Sequence, residues 1–100
     1  MTDSAQRILV VDDEPPIRRY LRAALSAQGF TIYEAANGQE ALNAVITDRP
    51  DIIILDLGLP DIDGIEVTRR LREWSQTPII ILSVREAEQD KIAALDAGAD

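Results

Sequence analysis

Two apolar runs in this sequence end in acid. Ile8-Leu9-Val10-Val11 is followed by Asp12-Asp13-Glu14, and Ile52-Ile53-Ile54-Leu55 is followed by Asp56. If both runs are strands lying side by side in one sheet, three carboxylates share a cleft. Carboxylates crowded in this way repel one another, and they protonate or splay apart unless a cation sits among them. A hard divalent ion resolves the conflict, and Mg2+ is the leading candidate because it prefers oxygen ligands and keeps waters that a phosphate can displace. Each acid also has an ordinary role. Asp13 or Glu14, standing before a proline, can cap a helix, and Asp56 can be a turn residue at a strand end. Taken singly, the two readings weigh about equally. The recurrence of the same apolar-then-acid pattern at two strand ends favours chemistry.

Two further features fall at the same edge. The run Ile79-Ile80-Ile81-Leu82 ends in Ser83, whose hydroxyl can donate to a phosphoryl oxygen. Alone, Ser83 reads better as a cap for the turn that follows. The segment Gly58-Leu59-Pro60-Asp61-Ile62-Asp63-Gly64 is a turn-forming loop directly after Asp56, and Gly58 offers a bare backbone carbonyl near the cation site. Its ordinary role is a tight connection.

These residues need elements to position them. The three continuous β-branched runs suit strands buried on both faces, as a parallel sheet between helices requires. Phe30-Thr31-Ile32-Tyr33-Glu34-Ala35 alternates instead, as a half-exposed edge strand does. Helical spacing links the strands. Pro15 and Pro16 suit a first turn, after which Ile17, Leu21, Ala24 and Leu25 recur until Gly29. Asn37-Gly38 marks a turn, and Leu42, Val45 and Ile46 form a stripe that Pro50 ends. Val67, Leu71 and Trp74 make a third stripe, and Ile92 and Leu95 a fourth that stops at Gly98. The order βαβαβαβα implies right-handed crossovers and an α/β fold with a doubly wound parallel sheet. In the flavodoxin-like strand order 2-1-3-4-5, strands one and three meet at the switch point, where ligands bind beyond the carboxyl ends of the strands. That order brings Asp12, Asp13 and Asp56 together.

Composition excludes several function classes. One hundred residues make one domain, and 46% hydrophobic with 28% charged residues is the profile of an ordinary globular chain. A net charge of -8 argues against a nucleic-acid surface, which needs clustered Lys and Arg. With no cysteine and no histidine there is no disulfide framework and no basis for most zinc chemistry. The polar start, Met1 to Arg7, is expected to be a disordered tail and does not resemble a secretory signal. The apolar runs are far short of the roughly 20 residues that span a bilayer. A cytoplasmic protein with no membrane contact is expected.

The residue set resembles the receiver domain of response regulators, the CheY-like fold, over the whole chain. The resemblance rests on Val11-Asp12-Asp13-Glu14, Leu55-Asp56-Leu57-Gly58-Leu59-Pro60-Asp61-Ile62-Asp63-Gly64, Leu82-Ser83 and Ala94-Leu95-Asp96-Ala97-Gly98-Ala99-Asp100. It implies a two-component signalling domain in which Asp56 accepts a phosphoryl group from a sensor histidine kinase. It implies that Asp13, Asp56 and the Gly58 carbonyl ligate Mg2+, that Asp12 acts through a bound water, and that Ser83 contacts the phosphoryl group. Such a domain catalyses only its own phosphorylation and dephosphorylation. Leu57-Gly58-Leu59-Pro60-Asp61 and the stretch from Asp90 to Asp100 look like the regulators of KDP potassium-transport operons, which implies a transcriptional regulator.

The family's fifth strand, the lysine at its end and the last helix would lie beyond Asp100, so residues 1–100 read as a receiver domain incomplete at its C-terminus. The missing lysine leaves open a phosphorylation-independent interaction module, and the open edge of strand four implies self-association or a homodimer. An aspartyl-phosphate phosphatase fits less well, because such enzymes carry the nucleophile in Asp-x-Asp after the first strand. Nucleotide binding fails for want of a GxGxxG or GxxxxGK loop.

Overall fold

The protein is described from a computed structural model covering residues 5–82 and 88–100. Ser83 and the first part of the expected N-terminal tail lie outside these described residues. Along the chain run β1 (Arg7–Val11), α1 (Pro15–Ser26), β2 (Thr31–Ala35), α2 (Gly38–Asp48), β3 (Ile52–Leu55), α3 (Gly64–Arg72), β4 (Ile79–Ile81) and α4 (Glu88–Ala97). The strands form one parallel sheet in the order β2-β1-β3-β4, the order expected. The register pairs Val11 with both Ala35 and Leu55, so β1 and β3 end level with one another.

β1 is covered on both faces, as its unbroken apolar run requires, and Ile8, Leu9, Val10 and Val11 are all buried. Leu9 and Val11 join Ile53, Leu55 and Ile79 in the larger core, which Ala41 and Val45 of α2 and Val67 and Leu71 of α3 close from one side. On the other side Ile8, Val10 and Ile32 meet Leu21 and Leu25 of α1 in a smaller cluster. α1 has no fully buried residue. Polar contacts therefore share in docking it: Arg18 Nε bonds Glu34 Oε1 at 3.1 Å, and Arg22 bonds the other oxygen of the same β2 carboxylate.

Several expectations fail for one reason, namely that an apolar stripe needs a neighbour to cover it. β4 is not buried on both faces. Ile80, paired in register with Ile54 on the α1 side of the sheet, is 51% exposed, and Leu82 beyond the strand is 42% exposed. Trp74 does not extend the α3 stripe: the helix has ended at Arg72, and the indole is 51% exposed. Ile46, Ile92 and Leu95 are exposed as well, α4 packing against α3. Phe30 precedes β2 and does not belong to it.

Two tests follow. A Cβ at Gly64 would lie 2.6 Å from the Asp56 carbonyl oxygen and 2.7 Å from the Leu57 Cα, both backbone atoms that cannot swing aside. Gly64→Ala should therefore cost about 1–3 kcal/mol, the range for overpacking a filled site, as read by urea denaturation. The Arg22 hydrogen bond, then Arg22's charge and Arg18, hold the Glu34 carboxyl below its ordinary value of 4.5 against the opposing effect of burial. Because the folded value is the lower one, this stabilisation is present above the unfolded value and is lost as pH falls through the folded value. Glu34→Gln should cost about 0.5–1 kcal/mol at pH 7, and its stability should converge with that of the wild type as pH drops below the glutamate range.

Candidate functional site

The acidic edge is built by strand ends. Asp12 follows β1 and is buried, its amide donating to Ala35 O at 3.1 Å. Asp56 follows β3, with its amide donating to Val11 O at 2.9 Å. Each acid is thus placed by a backbone bond that continues the sheet ladder. Carboxylate oxygens of Asp12, Asp13 and Asp56 all lie within 4.8 Å of one another, so the three residues singled out by their positions do converge. Asp12 is buried, Asp56 half-buried and Asp13 exposed.

Asp12 also does the ordinary work of a turn residue, its Oδ1 accepting the Glu14 amide at 2.9 Å. Burial pushes the Asp12 carboxyl above the usual aspartate value; the Glu14 amide opposes this, the charges of Asp13 and Glu14 add to it, and Arg18 opposes it. Glu14 itself is the residue before α1, and its side chain makes no cap hydrogen bond. Neither helix capping nor the acid cluster uses the Glu14 carboxylate.

Gly58 lies beside Asp56, where a Cβ built on it would lie 3.8 Å from Asp56 Oδ2. The loop that carries it is fixed at both ends. Leu57 and Leu59 are buried, Gly64 N donates to Leu57 O at 3.0 Å, and Asp63 accepts the Ile65 amide at 2.8 Å to start α3. The donor set is all oxygen, with one acid whose charge burial disfavours, and this fits a hard divalent cation. Asp12, Asp13 and Asp56 are the side chains able to hold it.

Sequence reasoning missed Arg18. Its guanidinium donates to the Asp12 carbonyl at 2.7 Å while also bonding Glu34, so it braces the turn that carries the acids. A signal existed: Arg18 and Arg22 lie four apart on a helix that crosses from β1 to β2, and Glu34 is the acid on β2. Trp74 lies away from this edge. It lines an open cleft of about 350 Å3 with Val45, Ile46 and Pro50, near the amino end of β3, whereas Asp56 lies at its carboxyl end.

Comparison with known proteins agrees with the geometry. Over 93 residues the chain is 58% identical to the KDP operon transcriptional regulatory protein KdpE of Escherichia coli (strain K12), covering 93% of this chain and 41% of that protein. It is 50% identical over 93 residues to the transcriptional regulatory protein KdpE of Mycobacterium tuberculosis (strain H37Rv), with the same coverage of each. The chain thus spans about two-fifths of the length of these relatives. Among solved structures, the BeF3-activated N-terminal receiver domain of Klebsiella pneumoniae RstA superimposes with a TM-score of 0.91 at 29% identity, covering 94% of this chain and 80% of that one. The receiver domain of the Francisella response regulator 1452 gives 0.88 at 33% identity, covering 95% and 79%. Residues 8–100 match the model of the response regulator receiver domain, and the chain belongs to that family.

Proposed function

We propose that this chain is the phosphoacceptor receiver of a two-component system and that Asp56 takes a phosphoryl group from a sensor histidine kinase in a Mg2+-dependent reaction. The observation that supports this most is the convergence of Asp12, Asp13 and Asp56 at the carboxyl ends of neighbouring strands in a chain of the receiver family. A carboxylate oxygen of Asp56 attacks the phosphorus of a phosphohistidine; the new O–P bond forms as the N–P bond breaks, and the imidazole leaves. Water later hydrolyses the acyl phosphate. Mg2+, when bound to Asp13, Asp56 and the Gly58 carbonyl, supplies the charge compensation that phosphoryl transfer between anions demands. Asp12 acts through a bound water and is held in place by the Glu14 amide. Ser83, which lies outside the described residues, is the proposed contact for the phosphoryl oxygens, and phosphorylation shifts an equilibrium between two surface arrangements of the domain. Catalysis is confined to the chain's own acceptor, so it is a signalling domain and not an enzyme with an external product.

The likeness to KDP operon regulators supports a receiver that serves a transcriptional regulator in the cytoplasm. With a net charge of -8, this segment itself is not the part that grips DNA. No helix among the described residues is long and apolar enough to cross a membrane.

Acetyl phosphate should add one phosphoryl group, seen by intact mass, when the chain is extended through the family's lysine-bearing fifth strand. Asp56→Asn should abolish the adduct and keep the fold. Labelling that persists in the variant would move the acceptor to another carboxylate, and no labelling of the extended wild type would favour an interaction module.

A further inference from the structure

Asp61 lies three residues past Gly58 and is exposed, yet both of its oxygens are engaged. Oδ1 accepts the Gly38 amide at 2.7 Å and Oδ2 the Gln39 amide at 3.0 Å, which are the first two amides of α2. These contacts, Gln39's first, hold its carboxyl below the ordinary aspartate range. A helix start leaves its first amides without intrahelical partners, and α2 already meets part of that need locally. Asn37 accepts the Glu40 amide at 2.9 Å as the helix cap, and Glu40 Oε1 accepts the Ala36 amide at 2.9 Å, reaching back to the residue before the cap. The two amides left over are taken by a carboxylate more than twenty residues away in sequence, from the loop that carries Gly58.

That loop has little freedom. Leu57 and Leu59, the neighbours of Gly58, are buried, and Pro60, with its fixed φ, joins this anchored stretch to Asp61. Beyond Asp61, Ile62 is seated so close to α2 that a Cβ on Gly38 would lie 2.8 Å from the Ile62 Cβ. A change in the path of the backbone at Gly58 is therefore carried to Asp61 and so to the start of α2.

We propose that Asp61 is a positioning residue that couples the cation site at Gly58 to the amino terminus of α2. The proposal rests on the Mg2+ reading of the acidic edge. Coupling between two sites is reciprocal: if the Asp61 clamp favours the loop path that binds the cation, the bound cation must tighten the clamp by the same factor. The start of α2 then becomes a second surface that senses the occupancy of the pocket.

The test measures Mg2+ affinity by calorimetry, and amide hydrogen exchange at Gly38 and Gln39 with and without Mg2+, on the 100-residue chain. Asp13→Ala, which removes a proposed direct ligand, is the positive control. Val45→Ala, which opens the α2 core without touching the loop, is the control for lost stability. Asp61→Ala should bind Mg2+ about tenfold more weakly, the lower end for losing a group that orients a ligand, and Asp61→Asn should lie between it and the wild type because one acceptor oxygen remains. Val45→Ala should bind as the wild type does. Mg2+ should slow exchange at Gly38 and Gln39 in the wild type and leave it unchanged in Asp61→Ala. Wild-type affinity in Asp61→Ala, equal weakening in Val45→Ala, or exchange at the two amides indifferent to Mg2+ would each overturn the coupling while the metal reading stands. A wild type and Asp13→Ala that both fail to take Mg2+ would bring down the metal reading and this proposal with it.

Discussion

The acidic edge depends on the register between β1 and β3. Val11 and Leu55 are paired, and the Asp56 amide bonds the Val11 carbonyl one step further on, so both strands release their chains at the same level. A slip of one residue would turn each buried side chain of β3 to the other face and carry Asp56 away from the pair at the end of β1. The register is favoured by burial: Leu9, Val11, Ile53 and Leu55 share one core, and a one-residue slip would turn Ile53 and Leu55 away from it. Packing with no chemical role of its own thus holds three like charges where they would not otherwise gather. Asp12 is the most buried of the three, and loss of solvent, more than the charges of Asp13 and Glu14, pushes its carboxyl up.

The strands and the acids were legible in the sequence because both follow from short-range pattern. A continuous β-branched run needs cover on two faces, and an acid that ends such a run falls at the sheet edge. The burial of β1 and the convergence of Asp12, Asp13 and Asp56 follow directly. What periodicity could not show is which stripes find partners. Ile80, Trp74, Ile92 and Leu95 fit their apolar patterns and remain exposed, because burial depends on what lies opposite them. Long-range polar contacts were hidden for a related reason. Nothing local at Arg18 or Asp61 names the Asp12 carbonyl or the α2 amides as their partners, and those pairings exist only once the strand order is known.

The loop after Asp56 illustrates how turn chemistry becomes site geometry. Gly64 is there because its Cα lies against backbone, and that contact brings the start of α3 back under the end of β3. Asp63 then caps the helix, and Thr68, fully buried, returns its hydroxyl to the Gly64 carbonyl at 2.9 Å. Each feature reads as ordinary punctuation when taken alone. Together they close a loop in which Gly58 lies beside the Asp56 carboxylate and Asp61 meets a helix start.

Among the described residues the two faces of the sheet are unequally covered. On one side α2 and α3 fill a continuous core, and Arg72 binds the end of α4 through Gly98 O at 2.9 Å and Asp100 at 3.0 Å. Asp100 in turn accepts the Ile79 amide at 2.9 Å, so α3, the end of α4 and β4 are tied by one guanidinium and one carboxylate. On the other side α1 rests on a small cluster and a pair of arginines. Apolar burial contributes about 25 cal/mol per Å2, so among the described residues the α1 face has the smaller share of the burial energy. The acids at the end of β1 belong to both faces at once. Asp12 is braced from the weaker side by Arg18, whereas the loop after Asp56 is braced from the stronger side by α2 and α3. Asp12 and the loop after Asp56 are thus held from opposite faces of the sheet, and the acids meet only because both supports are in place.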